Sequence, residues 1–151
     1  MGTLAVVALV GRMVLLFSLL TLVPLVFAWV GHDQGQSAFM TATAVTFSAG
    51  FLMSQTTRRF RRELQPRDGF LLVTLTWLVL PAFGALPLWL AIPGLSATDA
   101  YFEAMSAFTA TGATALSGLD ALPLSVNVWR CFMMFVGGLG IIVLADRKSV
   151  V

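Results

Sequence analysis

The groups best suited to chemistry are gathered in one run, Phe108-Thr109-Ala110-Thr111-Gly112-Ala113-Thr114-Ala115-Leu116-Ser117-Gly118. Hydroxyl residues alternate with small ones, and Gly112 stands where the chain has to reverse. Such a stretch can run extended and aim successive backbone carbonyls at one axis. Carbonyls arranged in that way replace the hydration shell of an alkali cation. An ordinary Gly/Thr-rich loop is the plainer reading of the same residues. No Ser/His/Asp or Cys/His set, catalytic carboxylate pair or phosphate-binding glycine loop accompanies the run, so the sequence does not read as an enzyme. His32 and Cys131 are the only residues of their kinds, which argues against a zinc or haem site and excludes an internal disulfide.

The elements that must position this run are those of a membrane protein. Of the 151 residues, 58% are hydrophobic and 11% charged, with a mean hydropathy of +0.92. Soluble domains carry about a quarter charged residues, and so few charges cannot coat a globule of this size. A soluble enzyme and a disordered chain are both excluded. The formal net charge of +2 and the pI near 9.3 come from clustered arginines, which read as topology determinants rather than as a nucleic-acid surface.

Four apolar stretches have spanning character. The first covers residues 4–30, with Arg12 interrupting it and Pro24 expected to kink it. A cleaved signal peptide fits this stretch poorly, because it is too long and lacks a basic N-terminus. The second covers 37–55, and its Ser37, Thr41, Ala42, Thr43, Ala44, Ser48, Ala49 and Gly50 suit close helix packing. The third covers 69–92, with Pro81 and Pro87 expected to bend it or end it early, and the fourth covers 124–145. Between the second and third lie Arg58, Arg59, Arg61, Arg62 and Arg67, a short basic loop that belongs in the cytoplasm.

Residues 97–109 form a different kind of element. Across 96–123, Asp99, Glu103 and Asp120 are too many charges for a lipid-facing span, and Ser96 with Asp99 reads as a helix start. A helix of this length reaches roughly 20 Å, short of a bilayer core of about 30 Å. It reads as a re-entrant half-helix whose C-terminal, partly negative end points at the candidate cation run. The N- and C-termini then both lie inside, with Asp33, Asp99 and Asp120 on the other side.

Three further features have two readings each. Arg130 either pairs with Asp120 or Glu103 and approaches carbonyls supporting the run, or snorkels outward. Gly137, Gly138 and Gly140 serve close packing and bending, or gating. Trp29, Trp77, Trp89 and Trp129 divide between interfacial anchors and packing.

The order of blocks carries a resemblance. A span precedes Asp99-Ala100-Tyr101-Phe102-Glu103-Ala104-Met105-Ser106, then Thr109-Ala110-Thr111-Gly112-Ala113-Thr114, then Gly118-Leu119-Asp120-Ala121-Leu122-Pro123. Trp129-Arg130 and Gly137-Gly138-Leu139-Gly140-Ile141-Ile142-Val143-Leu144 follow, and Arg62-Glu63-Leu64 with Arg67-Asp68-Gly69-Phe70 lies upstream. Together these resemble the first third of the TrkH/TrkG/KtrB family of potassium-uptake proteins, and its TrkH-like members most, over residues 4–145.

The resemblance implies an all-α integral membrane fold: two N-terminal transmembrane helices, then one span–pore half-helix–filter–span repeat of a K⁺-channel-like fold. By that map, residues 1–68 are the leading pair with the basic cytoplasmic loop. Residues 69–145 are the first of four repeats, with a span at 69–92, a pore half-helix at 97–109, the filter at 110–114 and a span at 124–145. It implies a K⁺-binding filter at Ala110, Thr111, Gly112 and Ala113, with K⁺ held at Thr111 and Gly112, and filter support or gating at Arg130, Gly137, Gly138 and Gly140. It also implies potassium uptake across the bacterial cytoplasmic (inner) membrane without a cofactor. The implied partners are K⁺, the lipid bilayer, a second copy of the full-length protein and a cytosolic nucleotide-binding regulatory subunit of the TrkA-like kind, with no nucleic acid. Ala110 departs from the threonine frequent there, a mild change if the ligands are carbonyls.

The apolar pattern breaks at Asp146-Arg147-Lys148-Ser149-Val150-Val151. This tail reads as a truncation or frameshift, with a natural cytoplasmic terminus as the alternative, and the chain as an incomplete N-terminal piece. A non-conducting membrane adaptor or assembly subunit, and a non-functional gene fragment, are the rival functions.

Overall fold

The first apolar stretch does not form one uninterrupted helix. In the computed structural model, which describes residues 2–56 and 65–146, it is divided into α1 (Gly2–Leu20) and α2 (Leu22–Gly31). The break falls at Thr21, one turn before Pro24, where the proline ring collides with the preceding turn. Thr21 is fully buried and its hydroxyl shares a 2.8 Å hydrogen bond with that of Thr43. The polar loop that follows holds His32 in the left-handed region, at φ 48°.

Downstream, α3 spans Gln36–Thr56, α4 Pro66–Ala91, α5 Ala97–Phe108 and α6 Leu124–Asp146, with a short 3₁₀ turn at Leu119–Ala121. The architecture is all-helical among the described residues, as the sequence predicts. Three helical stretches are long and apolar enough to cross a membrane: Leu4–Gly31, Gln36–Thr56 and Arg67–Ala91. The 23 residues of α6 extend ~35 Å. The arginines at 58–62 and the tail at 147–151 lie outside the described residues.

Local sequence accounts for the ends. Helix α4 starts with Pro66 at its first position, and Asp68 Oδ2 accepts the Gln65 N–H at 3.1 Å. It then runs through Pro81 and Pro87 without ending. The carbonyls three residues before those prolines are taken by other helices: Tyr101 donates to Leu78 O at 3.2 Å, and Trp129 Nε1 to Gly84 O at 2.9 Å. Neighbouring side chains thus engage backbone next to each proline, which lets prolines persist in spans. Helix α5 begins at Ser96, whose Oγ accepts the Asp99 N–H at 3.0 Å.

Packing follows small residues. Helices α1 and α3 make the most extensive interface, and they cross at Gly11 and Gly50. A Cβ on Gly50 would stand 2.6 Å from Leu15 N, so only glycine permits this approach. Val6, Val10, Val14 and Phe17 form one buried stripe on α1, with i, i+4 spacing closing on i+3. Helix α5 packs between α4 and α6, and α2 leans on α6. Large apolar side chains such as Leu16, Leu52 and Phe70 face outward while the carboxylate of Glu103 is buried. That inversion suits lipid as the solvent.

Candidate ion-binding strand and its anchor

Helix α5 ends where the candidate run begins, in a way the run itself determines. Thr109 caps it, Ala110 N–H donates to Ala107 O at 3.0 Å, and Thr111 N–H donates to Ser106 O at 2.9 Å. These two bonds make a Schellman ending, which needs a left-handed residue next after the cap. Ala110 occupies that place at φ 56°, although glycine is the usual choice there. Gly112 follows at φ 75°. The turn that ends α5 falls at Ala110 rather than at Gly112, and the positive φ at Ala110 had no sequence signal.

Residues 111–116 carry no helix or strand hydrogen bonding, and 110–115 are exposed. Among the described residues, the carbonyls of Ala110, Thr111 and Gly112 accept no hydrogen bond. That of Ala113 differs: it is turned toward α5 and accepts from Ser106 Oγ at 2.6 Å. Together with that of Thr109, four consecutive carbonyls free among the described residues thus sit just beyond the C-terminus of a 12-residue helix. Unpaired carbonyls and a partly negative helix end both favour a cation.

The back of the run is held by one carboxylate. Glu103, on the face of α5 toward the run, is 1% exposed. Its Oε1 accepts Thr114 Oγ1 at 2.6 Å, the Leu116 N–H at 3.3 Å and the Ala115 N–H. Its Oε2 accepts Arg130 Nε at 3.2 Å, and Arg130 Nη2 reaches Thr114 Oγ1 at 3.3 Å. Of the two readings of Arg130, pairing is the one observed, and its acid is Glu103. Asp120 is exposed in the 3₁₀ turn.

The three candidate glycines of α6 separate. A Cβ on Gly137 would fall 1.8 Å from Phe108 O, so Gly137 lets α6 touch the end of α5. Gly138 and Gly140 have nothing within 4 Å of such an atom. The tryptophans divide evenly: Trp29 and Trp89 are exposed, Trp129 is buried, and Trp77 packs edge-on against Phe108 at 5.3 Å.

Two contributors were not singled out from sequence. Ser106 carried no signal. Asp33 reads as a loop acid, yet its Oδ2 accepts Ser125 N–H at 2.9 Å and its Oδ1 accepts Ser125 Oγ at 3.0 Å. It caps α6 from the loop between α2 and α3. The signal for Glu103 was available: an ionisable residue within membrane segments is functional by default.

The family model described as "TrkH: Cation transport protein" matches residues 35–146. The chain is 42% identical over 142 residues to the Trk system potassium uptake protein TrkH of Vibrio parahaemolyticus, covering 93% of this chain and 29% of that protein. It is 41% identical to the TrkH of Escherichia coli K12, with the same coverage, and 35% identical to the TrkG of that strain, covering 89% and 28%. The crystal structure of the potassium transporter TrkH from Vibrio parahaemolyticus superposes with a TM-score of 0.91 at 41% identity, over 100% of this chain and 32% of that one. The chain thus spans less than a third of the length of these relatives.

Proposed function

The chain belongs to the TrkH family of cation transport proteins, and on that premise we propose that it forms the front of a potassium-uptake pore. Residues 1–68 are the leading helix pair, and 69–145 are one repeat of the pore wall. Within that repeat α5 is the pore half-helix, 110–114 the filter strand and α6 the inner helix. K⁺ sheds its water against the carbonyls of Ala110, Thr111 and Gly112, with Thr111 and Gly112 its main contacts. Ala113 completes the strand by hydrogen bonding backward to Ser106. Arg130 supports the strand and Gly137 seats α6 against α5, while Gly138 and Gly140 are available for bending. No covalent chemistry is involved.

The observation that carries this reading is the row of three carbonyls without hydrogen bonds among the described residues, on an exposed strand beyond a half-helix. Exposed unpaired carbonyls are costly in lipid, so they require either a cation or a polar path. The remaining walls come from sequence beyond this chain. The multi-pass assembly sits in the bacterial inner membrane with both ends of this segment in the cytoplasm. The full-length protein acts as a homodimer with a TrkA-like regulatory subunit.

The test is potassium-limited growth of bacteria lacking their own uptake systems. They are supplied with a full-length pore carrying this segment, such as the Vibrio parahaemolyticus TrkH with its matching stretch exchanged for this chain. Growth rescue is expected, and Gly112→Leu should abolish it, because a side chain at φ 75° is strained. Normal uptake and K⁺/Na⁺ selectivity in the Gly112→Leu pore would refute the site.

A further inference from the structure

The buried carboxylate of Glu103 is more than a stabilising contact requires. A buried ion pair is seldom better for stability than well-packed apolar residues, because both charges lose their water. Here the acid stands in a helix whose other buried residues are Ala100, Ala104, Ser106, Ala107 and Phe108. Its oxygens are committed to other elements. Oε1 gathers two consecutive backbone N–H groups and a hydroxyl from residues 114–116. Oε2 meets α6 through Arg130. Arg130 in turn holds the hydroxyl of Thr114, closing a ring of three side chains from α5, the strand and α6.

Between Thr111, tied to α5 by its N–H, and Thr114, tied to that ring, only Gly112 and Ala113 intervene. Ala113 is fixed through its carbonyl to Ser106. The carbonyls of 110–112 are therefore aimed by anchors behind them. A cleft of about 60 Å³, lined by Glu103, Ser106, Gly112, Ala113, Arg130 and Met134, lies between the strand and these anchors.

We propose that Glu103 and Arg130 are a positioning pair that sets the K⁺-over-Na⁺ selectivity of this filter strand by clamping residues 114–116 from behind. The inference rests on the filter reading above. Charge-assisted hydrogen bonds are shorter and about twice as strong as neutral ones, which suits an anchor at the 114–116 end of this strand. The arginine fork matters as much as its charge. Nε and Nη2 both lie 3.2 Å from Glu103 Oε2 while Nη2 also reaches Thr114 Oγ1, and a lysine ammonium cannot reproduce that geometry.

The experiment measures reversal potentials of the full-length pore under K⁺/Na⁺ bi-ionic conditions, at matched protein amounts in the membrane. Glu103→Gln with Arg130→Gln removes both charges together, so neither is left unpaired. Arg130→Lys keeps the charge and loses the fork. Both are expected to lower the K⁺/Na⁺ permeability ratio about tenfold, equivalent to ~1.4 kcal/mol. Should the double variant fail to accumulate, Arg130→Lys gives the same reading. An unchanged ratio in these variants, with a selective parent pore, would overturn the positioning role and leave the filter reading standing. A parent pore without K⁺ selectivity would overturn both.

Discussion

A Cβ placed on Gly137 would stand 1.8 Å from the carbonyl oxygen of Phe108. Helix α6 therefore touches Phe108, the last residue of α5, next to the candidate run. Gly137→Ala must push α6 away from α5, at a cost of about 1–3 kcal/mol, as overpacked cores show. Gly138→Ala meets nothing in this segment and should cost less, since alanine is the better helix former. Thermal unfolding of the two variants of the full-length pore in detergent checks the contrast. Equal melting temperatures would contradict this contact.

Asp33 ties the loop between α2 and α3 to α6 by capping Ser125. Asp33→Ala leaves the Ser125 N–H and hydroxyl without that partner and should cost ~1–2 kcal/mol, the range for a lost cap. Ser125→Ala retains the backbone bond and should cost less. Melting temperatures that rank these two variants in the opposite order would argue against the cap.

Much of this was legible from sequence, for physical reasons. Apolar stretches of spanning length mark the long helices, and the Ser96–Asp99 cap marks the start of α5 because a cap acts within one turn; Pro81 and Pro87, expected to bend or end α4, lie inside it. Gly112 stood out because glycine is the residue that accepts positive φ freely. Contacts between distant elements were less visible. Asp33 and Ser125 lie 92 residues apart, and no local pattern announces their pairing. Glu103 stands out in the sequence as a charge out of place and a possible partner of Arg130, but its three bonds to residues 114–116 depend on how the chain folds back after α5. Ala110 gave no sign of its left-handed backbone, since alanine seldom adopts it.

Topology can be read with a membrane-impermeant maleimide on whole cells. Cys131 is exposed and is first replaced by alanine. A cysteine at exposed Gln34 should then label from outside, and one at exposed Gln65 should not. The reverse pattern would invert the assignment.

Alone, the 151-residue chain supplies one strand of carbonyls, whereas a dehydrated K⁺ needs several. Purified in liposomes, it should pass no K⁺. A K⁺-selective flux abolished by Gly112→Leu would instead show a self-sufficient oligomer.

The central claim is that K⁺ meets the carbonyls of residues 110–112. The most direct measurement is anomalous X-ray scattering from Rb⁺ exchanged for K⁺ in crystals of the full-length pore carrying this segment. A Rb⁺ peak is expected beside the carbonyl oxygens of Thr111 and Gly112. Rb⁺ bound elsewhere along the pore, with none at this strand, would contradict it.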